Sequence, residues 1–124
     1  MVKKVWINLP VKDPQKSIEF FNQLGFSEDP RYGDCLTIGD IIVMLFPEPT
    51  FKSSTLNEIA DTKQGTEVLI TIEAENKEEV DEMVEKAEKA GGTIFSKPNV
   101  HGSMYGAGFS DLDGHRWNVL YIGE

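Results

Sequence analysis

Few side chains in this sequence can do chemistry, and their spacing narrows what they could do. There are two histidines, His101 and His115, and one cysteine, Cys35. Cys35 stands in a strand-like run beside Leu36, with neither histidine near it in sequence, so it reads as a buried structural thiol rather than a nucleophile. A single cysteine also excludes an intramolecular disulfide and a cysteine-based zinc site. Asp111 and Asp113 match a calcium loop only in fragment, because no Glu follows at the required spacing; they read as turn residues. His115 follows the turn glycine Gly114 and by alternation faces away from Asn118, and His101 reads as a loop residue between Pro98 and Gly102. No phosphate loop, nucleophile elbow or zinc motif is present. The other polar and aromatic residues, among them Glu67, Asn8, Asn118, Trp6, Phe51 and Tyr105, show no catalytic spacing of their own. A carboxylate inside a cavity needs a partner or a raised pKa, so Glu67 could be a general base, a cation anchor or a residue near a wet rim. Trp6 could stack on a ligand or fill the space itself. Asn8 and Asn118 could orient a polar ligand or hydrogen-bond one another across a dry core.

These residues are placed by a pattern that occurs twice. Val5, Ile7, Leu9 and Val11 alternate with Trp6, Asn8 and Pro10, which predicts a strand with one aliphatic face. Asp13 then caps a helix whose first position is Pro14, with Ile18, Phe21 and Leu24 at helical spacing and Gly25 as the stop. Short strands are expected around 26–31, 35–38 and 41–46. The stretch 47–65, with Pro47, Pro49, Gly65 and several small polar residues, reads as a connector with a short helix over 56–60. Thr66 to Glu73 repeats the opening strand, with Val68, Ile70 and Ile72 on one face and Glu67, Leu69 and Thr71 on the other. Asn76 with Glu79 three residues on is a capping box, followed by Val80, Met83, Val84, Ala87 and Ala90 in helical period and by Gly91-Gly92. Strands are expected over 93–96, 104–110 and 115–122, the last two joined by Asp111-Leu112-Asp113-Gly114. The order is βαβββ, connector, βαβββ. Each half has one helix for one sheet face, which leaves the other faces free to enclose a cavity.

The balance of 12 basic against 21 acidic residues, a net charge of −9, argues against nucleic acid or an anionic membrane surface as partner. It makes a cationic ligand easier to accept than an anionic one. No apolar run approaches the ~20 residues that span a bilayer. Met1 to Trp6 passes straight into a strand without a signal-peptide core, so a cytoplasmic protein is expected.

Two segments carry a resemblance. Ile7-Asn8-Leu9-Pro10-Val11-Lys12-Asp13 with Phe20 to Phe26, and Phe109-Ser110-Asp111-Leu112-Asp113-Gly114-His115-Arg116-Trp117, resemble the opening strand, the helix exit and the final turn of the glyoxalase / bleomycin-resistance / extradiol-dioxygenase (vicinal oxygen chelate) superfamily, with Leu112 where that turn usually has Pro. The resemblance implies an α+β fold of tandem βαβββ modules forming a curved sheet around a cavity. It covers one domain, 1–124, with module 1 at about 1–46, a connector at 47–65 and module 2 at about 66–124. Metal-dependent members of the superfamily place His, Gln or Glu at four inward positions. By the motifs these fall here on Trp6, on Val43 or Met44, on Glu67 and on Asn118. Trp has no lone pair to offer and a neutral amide is a feeble ligand for Ni²⁺, Zn²⁺ or Fe²⁺. The chain therefore resembles the metal-free branch: no metal or other cofactor, and a small molecule bound in a cavity lined by Trp6, Asn8, Glu67, Leu69, Tyr105, Asn118 and Leu120, with Phe51 as a lid. The alternative is a lyase similar to lactoylglutathione lyase, or a dioxygenase, with a shifted metal site using His115, His101 or Glu48. The resemblance also implies a homodimer.

Overall fold

The first strand buries the face that its alternation predicts. In β1, Trp6–Val11, Leu9 and Val11 are buried while Trp6 and Asn8 are exposed. Asp13 ends the strand and caps α1, Pro14–Gln23: its carboxylate accepts from the backbone N–H of Gln15 at 3.1 Å and of Lys16 at 3.2 Å. Ser17, Ile18, Phe20 and Phe21 form the buried stripe of α1, each large apolar side chain contributing about 1.5–3 kcal/mol on burial. The strand expected around 26–31 is reduced to a single bridge, Ser27 to Thr37. Pro30 has no N–H to give a ladder, and Asp29 instead caps a 3-10 turn over Pro30–Tyr32 by accepting from the Arg31 N–H at 3.0 Å. β2, Cys35–Ile38, and β3, Ile41–Pro47, follow, and the sheet order is β1-β3-β2, with β1 parallel and β2 antiparallel to β3.

The connector holds a helix, but earlier than expected. α2 is Glu48–Thr55, packed against β1 and β3. Pro47 and Pro49 read in sequence as breakers; here they flank the first helical position, where a missing N–H costs nothing. Leu56, in the left-handed region at φ 54°, ends the helix where the sequence predicts one to begin.

A second unit begins at Thr62, the first being Met1–Asp61. Its opening strand β4 is Leu69–Glu73, starting three residues later than the pattern suggests. In the turn that follows, Asn76 accepts from the Glu79 N–H at 2.8 Å and the Glu79 side chain reaches back to the Glu75 N–H at 2.9 Å, a reciprocal cap for α3, Lys77–Lys89. Val80, Val84 and Ala87 are its buried stripe. β5 runs over Thr93–His101, more than twice the expected length: Pro98 is tolerated because β5 is an edge strand. β6, Met104–Ser110, and β7, Arg116–Ile122, complete a sheet of order β4-β7-β6-β5, with β4 parallel to β7 and the other pairs antiparallel. The structure describes residues 1–123 and is a computed structural model. Among those residues the fold is α+β, with three α-helices and two mixed sheets, neither closed.

Candidate functional site

In the second unit the register sorts the sheet into two faces. Tyr105 pairs with Tyr121, Ala107 with Val119 and Phe109 with Trp117. This is the face under α3: Phe109 and Trp117 are buried with parallel rings 6.2 Å apart, and the Tyr105 hydroxyl donates to Asp81 of α3 at 2.5 Å. That hydrogen bond holds the Tyr105 phenol above its usual pKa, with desolvation and the Asp81 charge adding to it. Tyr105, expected with the lining residues, is therefore set apart from Asn118 and Leu120 on the opposite side of the sheet. It shares parity with Phe109 and Trp117 through the register of the β6–β7 hairpin.

The other face of that sheet is open. Leu69 pairs with Arg116, Thr71 with Asn118 and Glu73 with Leu120, so Leu69, Asn118 and Leu120 do come together. Asn118 is half-buried, and its carboxamide makes no hydrogen bond among the described residues. Glu67 lies in a bend before β4 and is exposed; it is not a strand residue aimed from the sheet. The same face also carries Arg116. The Arg116 guanidinium lies over the Phe95 ring, its carbon 4.3 Å from the centroid. Phe95 is the extra residue of a bulge between Ile94 and Ser96, and its ring covers Gly108, the partner of Asn118. A Cβ on Gly108 would stand 2.4 Å from the tip of that ring, so any other residue there would force Phe95 to shift. The signal was available: Arg116 has the same parity as Asn118, two residues on. Further along, the Asn99 Nδ2 donates to the Lys97 carbonyl at 2.6 Å, which leaves its buried Oδ1 without a hydrogen bond in the chain.

At the head of β7, Asp111 is the buried carboxylate of this unit. Its Oδ1 accepts from the backbone N–H of Asp113 and of His115, both at 3.0 Å, and its Oδ2 accepts from Trp117 Nε1 at 3.1 Å. Burial raises its pKa, opposed by His115, the indole and the two backbone donors. Gly114 closes the turn at φ 86°, and a Cβ there would stand 2.3 Å from Thr62 Oγ1, which donates to the Asp113 carbonyl at 2.8 Å. Asp111 and Asp113 are turn residues, as their spacing predicts.

In the first unit, Trp6 pairs with Ile42 and Asn8 with Met44, so Met44 rather than Val43 shares their face. Trp6 is 46% exposed and meets Tyr32 edge-on, with centroids 5.1 Å apart. Lys4 and Arg31 each lie 5.4 Å from the Tyr32 centroid. Cys35 is fully buried with Ile42 and Met44, and its thiol donates to the Asp29 carbonyl at 3.4 Å. Phe51 is half-buried on α2. His101, expected in a loop, is the exposed last residue of β5.

Among the described residues no group of three or more His, Cys, Asp or Glu side chains could hold a metal ion. The residues at the superfamily's ligand positions, Trp6, Met44, Glu67 and Asn118, include one carboxylate, one thioether, one amide and one indole. That donor set does not fit a divalent catalytic ion. No helix among the described residues is long and apolar enough to cross a membrane.

Two βα-led units, each with its first strand parallel to its last, define a recognisable class. The family model of the Glyoxalase/Bleomycin resistance protein/Dioxygenase superfamily matches residues 4–119, and the chain belongs to that superfamily. Among solved structures it is similar to the hypothetical protein SA1046 of S. aureus, at 35% identity and TM-score 0.87 over 98% of this chain and 95% of that one. A superfamily enzyme from Burkholderia phytofirmans PsJN has TM-score 0.81 at 20% identity over 94% and 96% of the two chains. TnmS3, an antibiotic binding protein from Streptomyces sp. CB03234, has TM-score 0.63 at 16% identity over 99% and 98%. No curated protein matches the chain.

Proposed function

We propose that this protein binds a small molecule on the open sheet faces without a metal ion. The observation that carries the reading is the donor set: Trp6, Met44 and Asn118 stand where metal-dependent relatives need His, Gln or Glu, which leaves Glu67 alone. That TnmS3 is an antibiotic binding protein supports a binding role for this fold without implying the same ligand here. Trp6, half-exposed beside Tyr32, offers an aromatic surface in the first unit, and Asn118, Leu69 and Leu120 offer a mixed surface in the second. A cytoplasmic homodimer is part of the proposal. The decisive measurement is calorimetry of dialysed protein with Ni²⁺, Zn²⁺ and Fe²⁺. The expected result is no stoichiometric tight binding by any of them. Tight one-to-one binding that disappears in Glu67→Gln would overturn the reading. Light scattering at micromolar concentration checks the dimer, and a monomer mass refutes it.

A further inference from the structure

We propose that Arg116 is the recognition point for an anionic group, a carboxylate or a phosphate, of the ligand. The proposal deepens the binding reading above and rests on it. Arg116 is half-buried, and among the described residues its guanidinium makes no hydrogen bond or ion pair. That is unusual company for an arginine in a chain with 21 acidic side chains available to pair with it. The guanidinium lies over the face of Phe95, at 4.3 Å from the centroid. Contact with a ring face holds the side chain in place but consumes none of the five N–H donors. The platform is itself built: a bulge delivers Phe95, and Gly108 is the residue that admits the ring, since a Cβ would stand 2.4 Å from it. A fork of donors already resting on a ring has less rotamer freedom left to lose on binding than a free surface arginine.

The neighbours suit a ligand with more than a charge. Asn118, two residues along β7 on the same face, has an amide with no hydrogen bond in the described chain, and Thr71 is its partner on β4. Leu69, 49% exposed, pairs with Arg116 itself. An oxyanion on Arg116, a polar group on Asn118 and an apolar portion over Leu69 and Phe95 would match this surface. The net charge of −9 points the other way, toward cations, but it describes the average field of the whole surface. The ligand meets the local one, and here that is an unneutralised guanidinium. A planar fork matches carboxylate or phosphate oxygens two at a time, which a cation cannot exploit.

The test uses the intact protein, labelled with ¹⁵N, and isosteric probes at millimolar concentration: benzoate, phenyl phosphate, inorganic phosphate, neutral benzamide and cationic benzamidine. Benzoate or phenyl phosphate should give saturable amide shifts centred on Phe95, Gly108, Arg116 and Asn118, and benzamide and benzamidine should give none there. Saturation by benzoate alone assigns a carboxylate site. Saturation by phenyl phosphate and inorganic phosphate assigns a phosphate site. Arg116→Gln should weaken the bound anion at least tenfold, about 1.4 kcal/mol. Arg116→Lys, which keeps the charge but not the fork, should fall between. Phe95→Leu should weaken binding several-fold by freeing the guanidinium. Unchanged spectral dispersion shows that each variant is folded. The proposal is overturned by benzamidine binding as well as benzoate, by no saturable shift from any anion, or by Arg116→Gln leaving affinity within twofold. Metal titration reads the preceding proposal separately: tight metal binding would refute that reading while leaving an Arg116-dependent anion response intact.

Discussion

Replacing Asp111 with Asn tests whether one buried carboxylate holds the turn that aims β7. Asp111 is 6% exposed and serves three donors: two backbone N–H groups on one oxygen and the Trp117 indole on the other. Asparagine has one oxygen. Whichever way its amide turns, an NH₂ group faces a donor that the carboxylate had satisfied. Loss of one bond to a charged acceptor costs about 1.5–3 kcal/mol, and a buried donor left facing another donor about 1–3 more. Relief from burying the charge offsets part of this. The expected net cost is about 2–3 kcal/mol, a fall in Tm of roughly 8–12 °C for a chain of this size. The assay is urea unfolding followed by far-ultraviolet circular dichroism, as a double-mutant cycle with Trp117→Phe, which removes the indole donor. The two substitutions should couple by about 1.5 kcal/mol, and a coupling within about 0.5 kcal/mol of zero would refute the reasoning. The pH dependence supplies a second check. Burial raises the Asp111 pKa above the unfolded value of 3.8, against the pull of His115, the indole and the backbone donors. Between the unfolded and folded values the folded chain binds more protons, so the Asp111 contribution to stability falls as pH rises through that window and is level above it. The margin of wild type over Asp111→Asn should therefore widen as neutral solution is acidified toward the unfolded value. A margin that narrows would show that the hydrogen bonds outweigh burial.

Gly114→Ala should destabilise the second unit by about 2 kcal/mol, from the left-handed backbone and the collision with Thr62. Adding Thr62→Ala should recover the steric part only, which chemical denaturation can read. Asn76→Ala should cost about 1 kcal/mol through loss of the α3 cap; a change under a few tenths in the same assay would mean that Glu79 alone suffices. Tyr105→Phe, on the α3 face, should leave the affinity of the benzoate probe within twofold, and a larger loss by titration would place Tyr105 back at the open face.

The elements that the sequence announces are those governed by local rules. Asp13 with Pro14, and Asn76 with Glu79, start α1 and α3 where their side chains cap them. Alternation in β1 and β7 assigns the buried faces correctly, because period two does not depend on what packs above. The departures come from residues whose meaning depends on tertiary position. Pro98 suggests the end of a strand, yet on the edge strand β5 its missing N–H is not needed. Pro47 and Pro49 suggest a loop, yet they open α2. Glu67 keeps strand parity on paper, but the ladder begins at Leu69. Tyr105 could have been placed by counting across the turn, since the Ser110–Arg116 pairing puts it opposite Tyr121. Arg116 is different in kind. Its parity is legible, but its unpaired state is a fact about where the acidic residues are not, and no local pattern records that.

The parallel pairing of β4 with β7 has a consequence for synthesis. β4 has one neighbour in its sheet, and that neighbour is the last strand of the unit. As the nascent chain leaves the ribosome, Leu69–Glu73 emerges early and must wait, with both edges bare, until Arg116–Ile122 follows. Closing that gap joins segments far apart in sequence, so the entropic cost falls late and is met in one step. A product stalled or clipped before Arg116 loses two strands rather than one, and its apolar β4 is left as an unpaired edge open to other chains.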